Sequence, residues 1–177
     1  MWQEETFDPE TIDRELDWAA SLGFNTMRVF LHDLAWSVDP DGFLDRVEQF
    51  LEICGKHGIR VMLVPFDSVW DPWPKPGPQK PPVPGVHNSR WVQSPSVDIQ
   101  KDPDRHEEIR PYLMAVLKRF GRHPGVLAWD LLNEPGNING NSYAEQGGWT
   151  AEEKAAAHAV LLSRLFAGPG KHGPNNP

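Results

Sequence analysis

Three short runs rich in β-branched and large apolar side chains recur along the chain, at 26–31 (TMRVFL), 60–66 (RVMLVPF) and 126–132 (VLAWDLL). Each lies between segments whose apolar residues repeat at helical spacing. That alternation constrains the fold more than any other feature. Strands separated by helices run parallel and are joined by right-handed crossovers, because a tight turn cannot connect a parallel pair. The predicted order is α-β-α-β-α-β-α, an α/β fold.

The helices carry their own punctuation. Asp8 and Pro9 open the first as N-cap and first residue, Ile12, Leu16, Ala19 and Ala20 share a face, and Gly23 stops it. A second is predicted over 41–57, with Phe43, Val47, Phe50, Leu51 and Cys54 on its apolar side and Gly58 at its end. A third covers 103–120, where Pro111 either kinks the helix or delays its start. The last begins at a capping box, Thr150 with Glu153, and runs to about residue 166. Trp18 and Cys54 are expected in the core.

Composition removes whole classes of function. The chain has 177 residues, 39% of them hydrophobic, enough for one domain with a real core. No apolar run is long enough for a membrane helix. The acidic start MWQEETFDPE has no apolar leader segment, so a cytoplasmic location is expected for the chain as given. One cysteine allows neither an internal disulfide nor a cysteine-rich zinc site, and the seven histidines show no metal-ligand spacing, so no metal is expected. A net charge of −8 opposes binding to phosphate backbones.

Loop lengths point to one face. Helix-to-strand connections are short, whereas the strand-to-helix connections 32–40, 67–102 and 133–149 are long. In parallel α/β folds, ligands bind at the carboxyl ends of the strands, where these long loops lie. Residues 71–84 (DPWPKPGPQKPPVP) are proline-rich enough to form an extended, stiff excursion, and 136–148 read as a flexible Gly/Asn loop. The domain is expected to occupy 1–168, with 169–177 a disordered tail.

Chemistry-bearing residues gather on the same face. His32, Asp33 and Trp36 follow the first strand; Asp67, Trp70, His87, Asn88 and Trp91 follow the second; Asn133 and Glu134 follow the third. Carboxylates and histidines among indoles suit a carbohydrate, whose C–H faces pack on flat rings while its hydroxyls hydrogen-bond. Acetal cleavage needs one carboxyl to protonate the leaving oxygen and a second opposite it. Each candidate has a plainer alternative. His32, Asp33 and Asp67 could cap loop backbone, Asn133 could be a turn residue, and the tryptophans could be loop packing. Parity puts Thr26, Arg28, Phe30 and His32 on one face of the first strand. Arg28, expected to be buried there, needs a partner, and Asp130 is the best candidate.

The stretch WDLLNEP, residues 129–135, resembles the acid/base motif of retaining glycoside hydrolases of clan A. GFNTMRVFLHD and HGIRVMLVPFD resemble the second and third barrel strands of family 5-like members. The resemblance implies about half of a (β/α)8 barrel, strands two to four, acting on β-linked oligo- or polysaccharides of the cellulase or mannanase kind without a cofactor. It implies Glu134 as general acid/base, Asn133 as ligand of the sugar 2-hydroxyl and Arg28 as the arginine beneath the site. In such enzymes the nucleophilic glutamate lies on strand seven, which has no counterpart here. A Trp-lined strand end should raise the pKa of Glu134 by desolvation. The open edges and inner face of a half barrel, with Phe30, Leu63, Pro65, Val126, Ala128 and Leu132 expected on that face, imply a homodimer or larger homo-oligomer. The alternatives are an inactive carbohydrate-binding half-barrel and a self-assembling module with no enzymatic role.

Overall fold

The computed structural model describes residues 1–138 and 148–167. Most of the Gly/Asn loop and the tail at 169–177 lie outside the described residues. The chain opens with a 3-10 turn, Glu4–Thr6, followed by α1 (Pro9–Ser21), β1 (Thr26–Phe30), α2 (Asp33–Val38), α3 (Pro40–Lys56), β2 (Arg60–Val64) and β3 (Phe66–Asp67). Next come α4 (Val97–Lys101), a 3-10 helix Pro103–Ile109, α5 (Arg110–Phe120), β4 (Val126–Trp129), β5 (Leu132–Asn133) and α6 (Ala151–Ala167).

β1, β2 and β4 pair in that order, all parallel, with Thr26 beside Arg60 and Phe30 beside Val64. Pro65 lacks an N–H and interrupts the second run, so β3 and β5 form a separate short parallel pair, Phe66 with Leu132 and Asp67 with Asn133. The freed Pro65 carbonyl accepts the Tyr112 hydroxyl at 3.2 Å. This offset carries the strand ends, and with them the polar residues, past the end of the main ladder.

Local signals explain the helix starts. Asp8 accepts from the Thr11 N–H at 3.0 Å, and Asp39 from the Gly42 N–H at 3.1 Å, each followed by a proline. Thr150 and Glu153 close their capping box in both directions, at 2.8 and 3.2 Å. Pro111 sits in the first turn of α5, so it delays the helix rather than kinking it. Two short helices, α2 and α4, occupy what the sequence reads as loops. α2 is started by His32, whose Nδ1 accepts from the Leu34 N–H at 3.2 Å.

α1, α2, α3 and α5 pack side by side, and α3 lies against β2. Phe43, Val47, Cys54, Val61, Leu63, Val116 and Phe120 are fully buried between the helices and the sheet. Desolvation pushes the Cys54 thiol up to about 12, as suits a small buried apolar residue. Trp18 contradicts expectation. It is 58% exposed, with the Arg14 guanidinium over its ring, because α1 turns only its Ile12–Leu16 side inward.

The opposite face of the sheet is more open, but its composition differs from expectation. Arg28, Phe30, Met62 and Ala128 lie there with some exposure. Leu63 pairs with Val29 on the helix side, Val126 packs against the core, and Pro65 and Leu132 are buried. Among the described residues, no helix is long and apolar enough to cross a membrane.

Candidate active site

The offset pair β3–β5 builds the polar centre. Asn133 and Asp67 are register partners, and the Asn133 side-chain amide donates to Asp67 Oδ1 at 3.0 Å. The Asn133 carbonyl oxygen accepts from Arg28 Nη2 at 2.7 Å. The same guanidinium donates to Asp130 Oδ2, from Nη2 at 2.5 Å and Nε at 3.0 Å. One network therefore ties β1, β3 and β5 together. The Arg28–Asp130 pairing matches expectation, but the pair is not buried: its side chains keep 41% and 31% of their exposure. The sheet face beneath it is open.

Asp67 is the most perturbed carboxyl of the site. Burial pushes it up to about 6; the neighbouring Glu134 charge acts in the same direction, while the bonds from Asn133 and the Val69 N–H oppose the shift. Desolvation was expected at Glu134 instead, but that side chain is exposed, so its premise fails there. Glu134 stands just beyond β5. Its Oε2 accepts from the Asn137 side-chain amide, and its backbone carbonyl accepts from the Ser68 hydroxyl at 2.6 Å.

Glu134 lines an open cleft of about 280 Å³ together with Arg28, Phe30, Asn133, Trp70, His87, Asn88 and Trp91. Trp91 lies 5.9 Å from Phe30 and 5.7 Å from Trp70, ring centre to ring centre, and His87 lies 5.7 Å from Trp70. Backbone geometry singles out the same place. Among the described residues, the non-glycine residues with positive φ are Trp70 (79°), Asn88 (48°) and Glu134 (49°), and all of them line this cleft. Such conformations cost on the order of 1–3 kcal/mol each and concentrate at functional sites.

The remaining candidates lie elsewhere. Trp36 is not brought to the cleft: its ring packs on Tyr112 at 5.9 Å and against the core. Asp33 is buried and accepts the Ser94 hydroxyl at 2.7 Å, a bond that ties α2 to the loop after β3. His32 and Asp67 line an adjoining cleft of about 530 Å³ beside β1. No group of three or more His, Cys, Asp or Glu is placed to hold a metal among the described residues.

Other contributors went unread in the sequence. Lys154 on α6 is fully buried and donates to the backbone carbonyls of Ser68 at 2.8 Å and Asn137 at 2.7 Å. Burial draws its ammonium down to about 8 against the pull of Asp67 and Glu134. His158 Nδ1 accepts from the Gly136 N–H at 2.9 Å, and its Nε2 lies 2.9 Å from Gln100 Oε1. Burial first, then the charge of Lys154, brings His158 down to about 4, so the ring is neutral near pH 7. The signal was present: Lys154, His158, Leu161 and Leu165 recur at helical spacing on one apolar stripe.

No family model matches the chain. It is 30% identical over 96 residues to a probable mannan endo-1,4-beta-mannosidase A-1 of Aspergillus terreus, a match covering 52% of this chain and 21% of that protein. The structure superposes on GH5_18 from Streptomyces cattleya, solved in complex with Manb1-4GlcNAc, with a TM-score of 0.60 and 19% identity. That superposition covers 93% of this chain and 38% of the other. The chain resembles part of a family 5 glycoside hydrolase in fold. An exo-beta-1,4-mannosidase from Opitutaceae bacterium strain TAV5 also superposes on this chain, with a TM-score of 0.52, 21% identity, and 87% and 25% coverage. The chain therefore spans only a minor part of each of these relatives, and what it shares with the solved structures is the parallel α/β fold.

Proposed function

We propose that this chain carries the acid/base half of a retaining β-glycoside hydrolase site, on part of a (β/α)8 barrel corresponding to strands two to four, and that its ligand is a β-linked mannoside. The observation that carries the reading is the convergence of strained backbone on one cleft: Trp70, Asn88 and Glu134 all hold left-handed conformations around it. The mannan and mannoside relatives supply the sugar class. In this reading Trp91 offers an indole to a sugar face, Asn133 reaches the 2-hydroxyl, and Arg28 holds Asn133 in place. Glu134 gives its proton to the leaving oxygen and then, as a base, takes one from the attacking water.

Retention requires a second carboxylate about 5–5.5 Å from the first. Asp67 does not serve, since it is buried and does not line the cleft that holds Glu134. We assign the nucleophile to a strand that these residues do not supply. A second reading, glycan binding without turnover, is favoured by the lining of the cleft, in which Glu134 is the sole carboxylate among the described residues.

Tryptophan fluorescence titrated with β-1,4-mannooligosaccharides tests the site. Saturable quenching that weakens at least tenfold in Trp91→Ala is expected. An unchanged response in that variant, or no response in either chain, removes the glycan cleft.

A further inference from the structure

Trp91 also borders a third cleft. On the side of the proline-rich loop it helps to line an open groove of about 430 Å³, together with Asp71, Trp73, Lys75, Lys80 and Arg90. Trp73 and Trp91 are 46% and 48% exposed, so both indoles are available for stacking. Lys75, Lys80 and Arg90 are exposed, and none forms an ion pair among the described residues. Asp71 lines the same groove, and its Oδ1 already accepts from the Trp73 N–H at 3.0 Å. Three unmatched cations beside two open indoles run against the sign of a chain carrying −8.

Resting on the reading of the Glu134 cleft as a β-glycan site, we propose that the glycan continues across Trp91 into this basic groove, and that the ligand class is an acidic β-linked glycan bearing carboxylate groups. A sugar ring stacks through its C–H face, and a carboxylate on that ring takes charge-assisted hydrogen bonds from lysine and arginine. Arg90 Nε donates to the Pro81 carbonyl at 3.2 Å, but a wholly neutral glycan would leave all three cations without a charged partner from the ligand. The contacts are exposed, so the gain is modest, about three- to tenfold in affinity, and it shrinks as salt screens it. The general field of an acidic protein repels such a ligand, so the preference has to be local to this groove.

The test compares a soluble β-1,4-mannan with the same polymer in which a minority of residues are oxidised at C6 to carboxylates. Neutral residues can then occupy the Glu134 cleft while an acidic one reaches the groove. Binding is followed by tryptophan fluorescence at low and high salt, for the unmutated chain and for Lys75→Gln/Lys80→Gln. Both positions are exposed, so the substitutions leave the core intact. The expected result is three- to tenfold tighter binding of the oxidised polymer at low salt, lost in the double variant and lost at high salt. Equal binding of the two polymers overturns the basic subsite and leaves the glycan cleft standing. Equal binding of poly-glutamate and the oxidised polymer also overturns it, since the groove is then a general anion patch. Binding of the oxidised polymer alone removes the neutral cleft reading and with it the continuation of one glycan across Trp91; failure of both polymers overturns both.

Discussion

Lys154 Nζ reaches 86 residues back along the chain and donates to the backbone carbonyl of Ser68 at 2.8 Å. A second bond, to the Asn137 carbonyl, clamps the loop that carries Glu134. The ammonium is fully buried, and its charged form is disfavoured down to about pH 8.

That burial makes stability depend on pH in a particular sense. Below about pH 8 the amine is charged in both folded and unfolded chains, and the burial cost is fully present. Between about 8 and the unfolded value near 10.4, the folded chain releases a proton that the unfolded chain keeps, so stability climbs, by up to about 3 kcal/mol. Urea denaturation at pH 7, 8, 9 and 10 should show this rise, and Lys154→Met should abolish it. A variant with the same slope as the unmutated chain would place the effect elsewhere.

Asp67 gives the opposite slope in a different window. Its folded value of about 6 lies above the unfolded value near 4, so the folded chain binds the extra proton. Its contribution is most favourable below about pH 4 and is lost as pH rises through 6, by about 3 kcal/mol at most. Asp67→Asn keeps an oxygen for Asn133 and removes the charge. The variant should be more stable at pH 7 by about 1–3 kcal/mol, with a flatter profile from pH 4 to 6. A destabilised variant at pH 7 would show that the ionised form is the one the fold selects.

The site reading predicts little covalent chemistry from this chain alone. A 2-fluoro mannoside with an activated leaving group should leave it unlabelled, by mass spectrometry, because no nucleophilic carboxylate lines the cleft among the described residues. Any residual hydrolysis of a poor-leaving-group mannoside should fall at least a hundredfold in Glu134→Gln. A labelled peptide containing Asp67 or Asp33 would identify a nucleophile we have assigned elsewhere.

Self-association is expected through the open sheet face. Phe30 lies there between the Arg28 guanidinium, 4.7 Å from its ring, and Trp91, and the outer edge of β1 has no strand partner among the described residues. Sedimentation equilibrium at micromolar concentration should give a dimer or larger species, weakened by Phe30→Asp. A monomer at all concentrations rules this out.

Alternation of strands and helices was legible because parallel pairing leaves a chain few other solutions, and the caps at Asp8 and Thr150 follow local rules that tertiary contacts seldom override. α2 was not legible, because its start depends on His32 acting as an N-cap, an unusual residue in that role. Trp18 misled because a large indole on a helix suggests a core that the surrounding elements do not provide. The Arg28–Asp130 pairing could be read from strand parity. Its exposure could not, since that depends on what covers the sheet. Lys154 was missed for a related reason: a lysine in an apolar stripe is ordinarily read as a flaw in the stripe rather than as its purpose.

The strand order β1-β2-β4 follows the order of synthesis, so each strand can dock on one already made. Arg28 is the exception, since its partners Asp130 and Asn133 arrive 102 and 105 residues later. During translation its guanidinium therefore waits in water while the helix layer consolidates behind it. The polar centre closes only when β4 and β5 emerge, which makes it the late event of assembly. A stall or nick between α5 and β5 would thus leave a chain with much of its core formed and its chemistry unassembled.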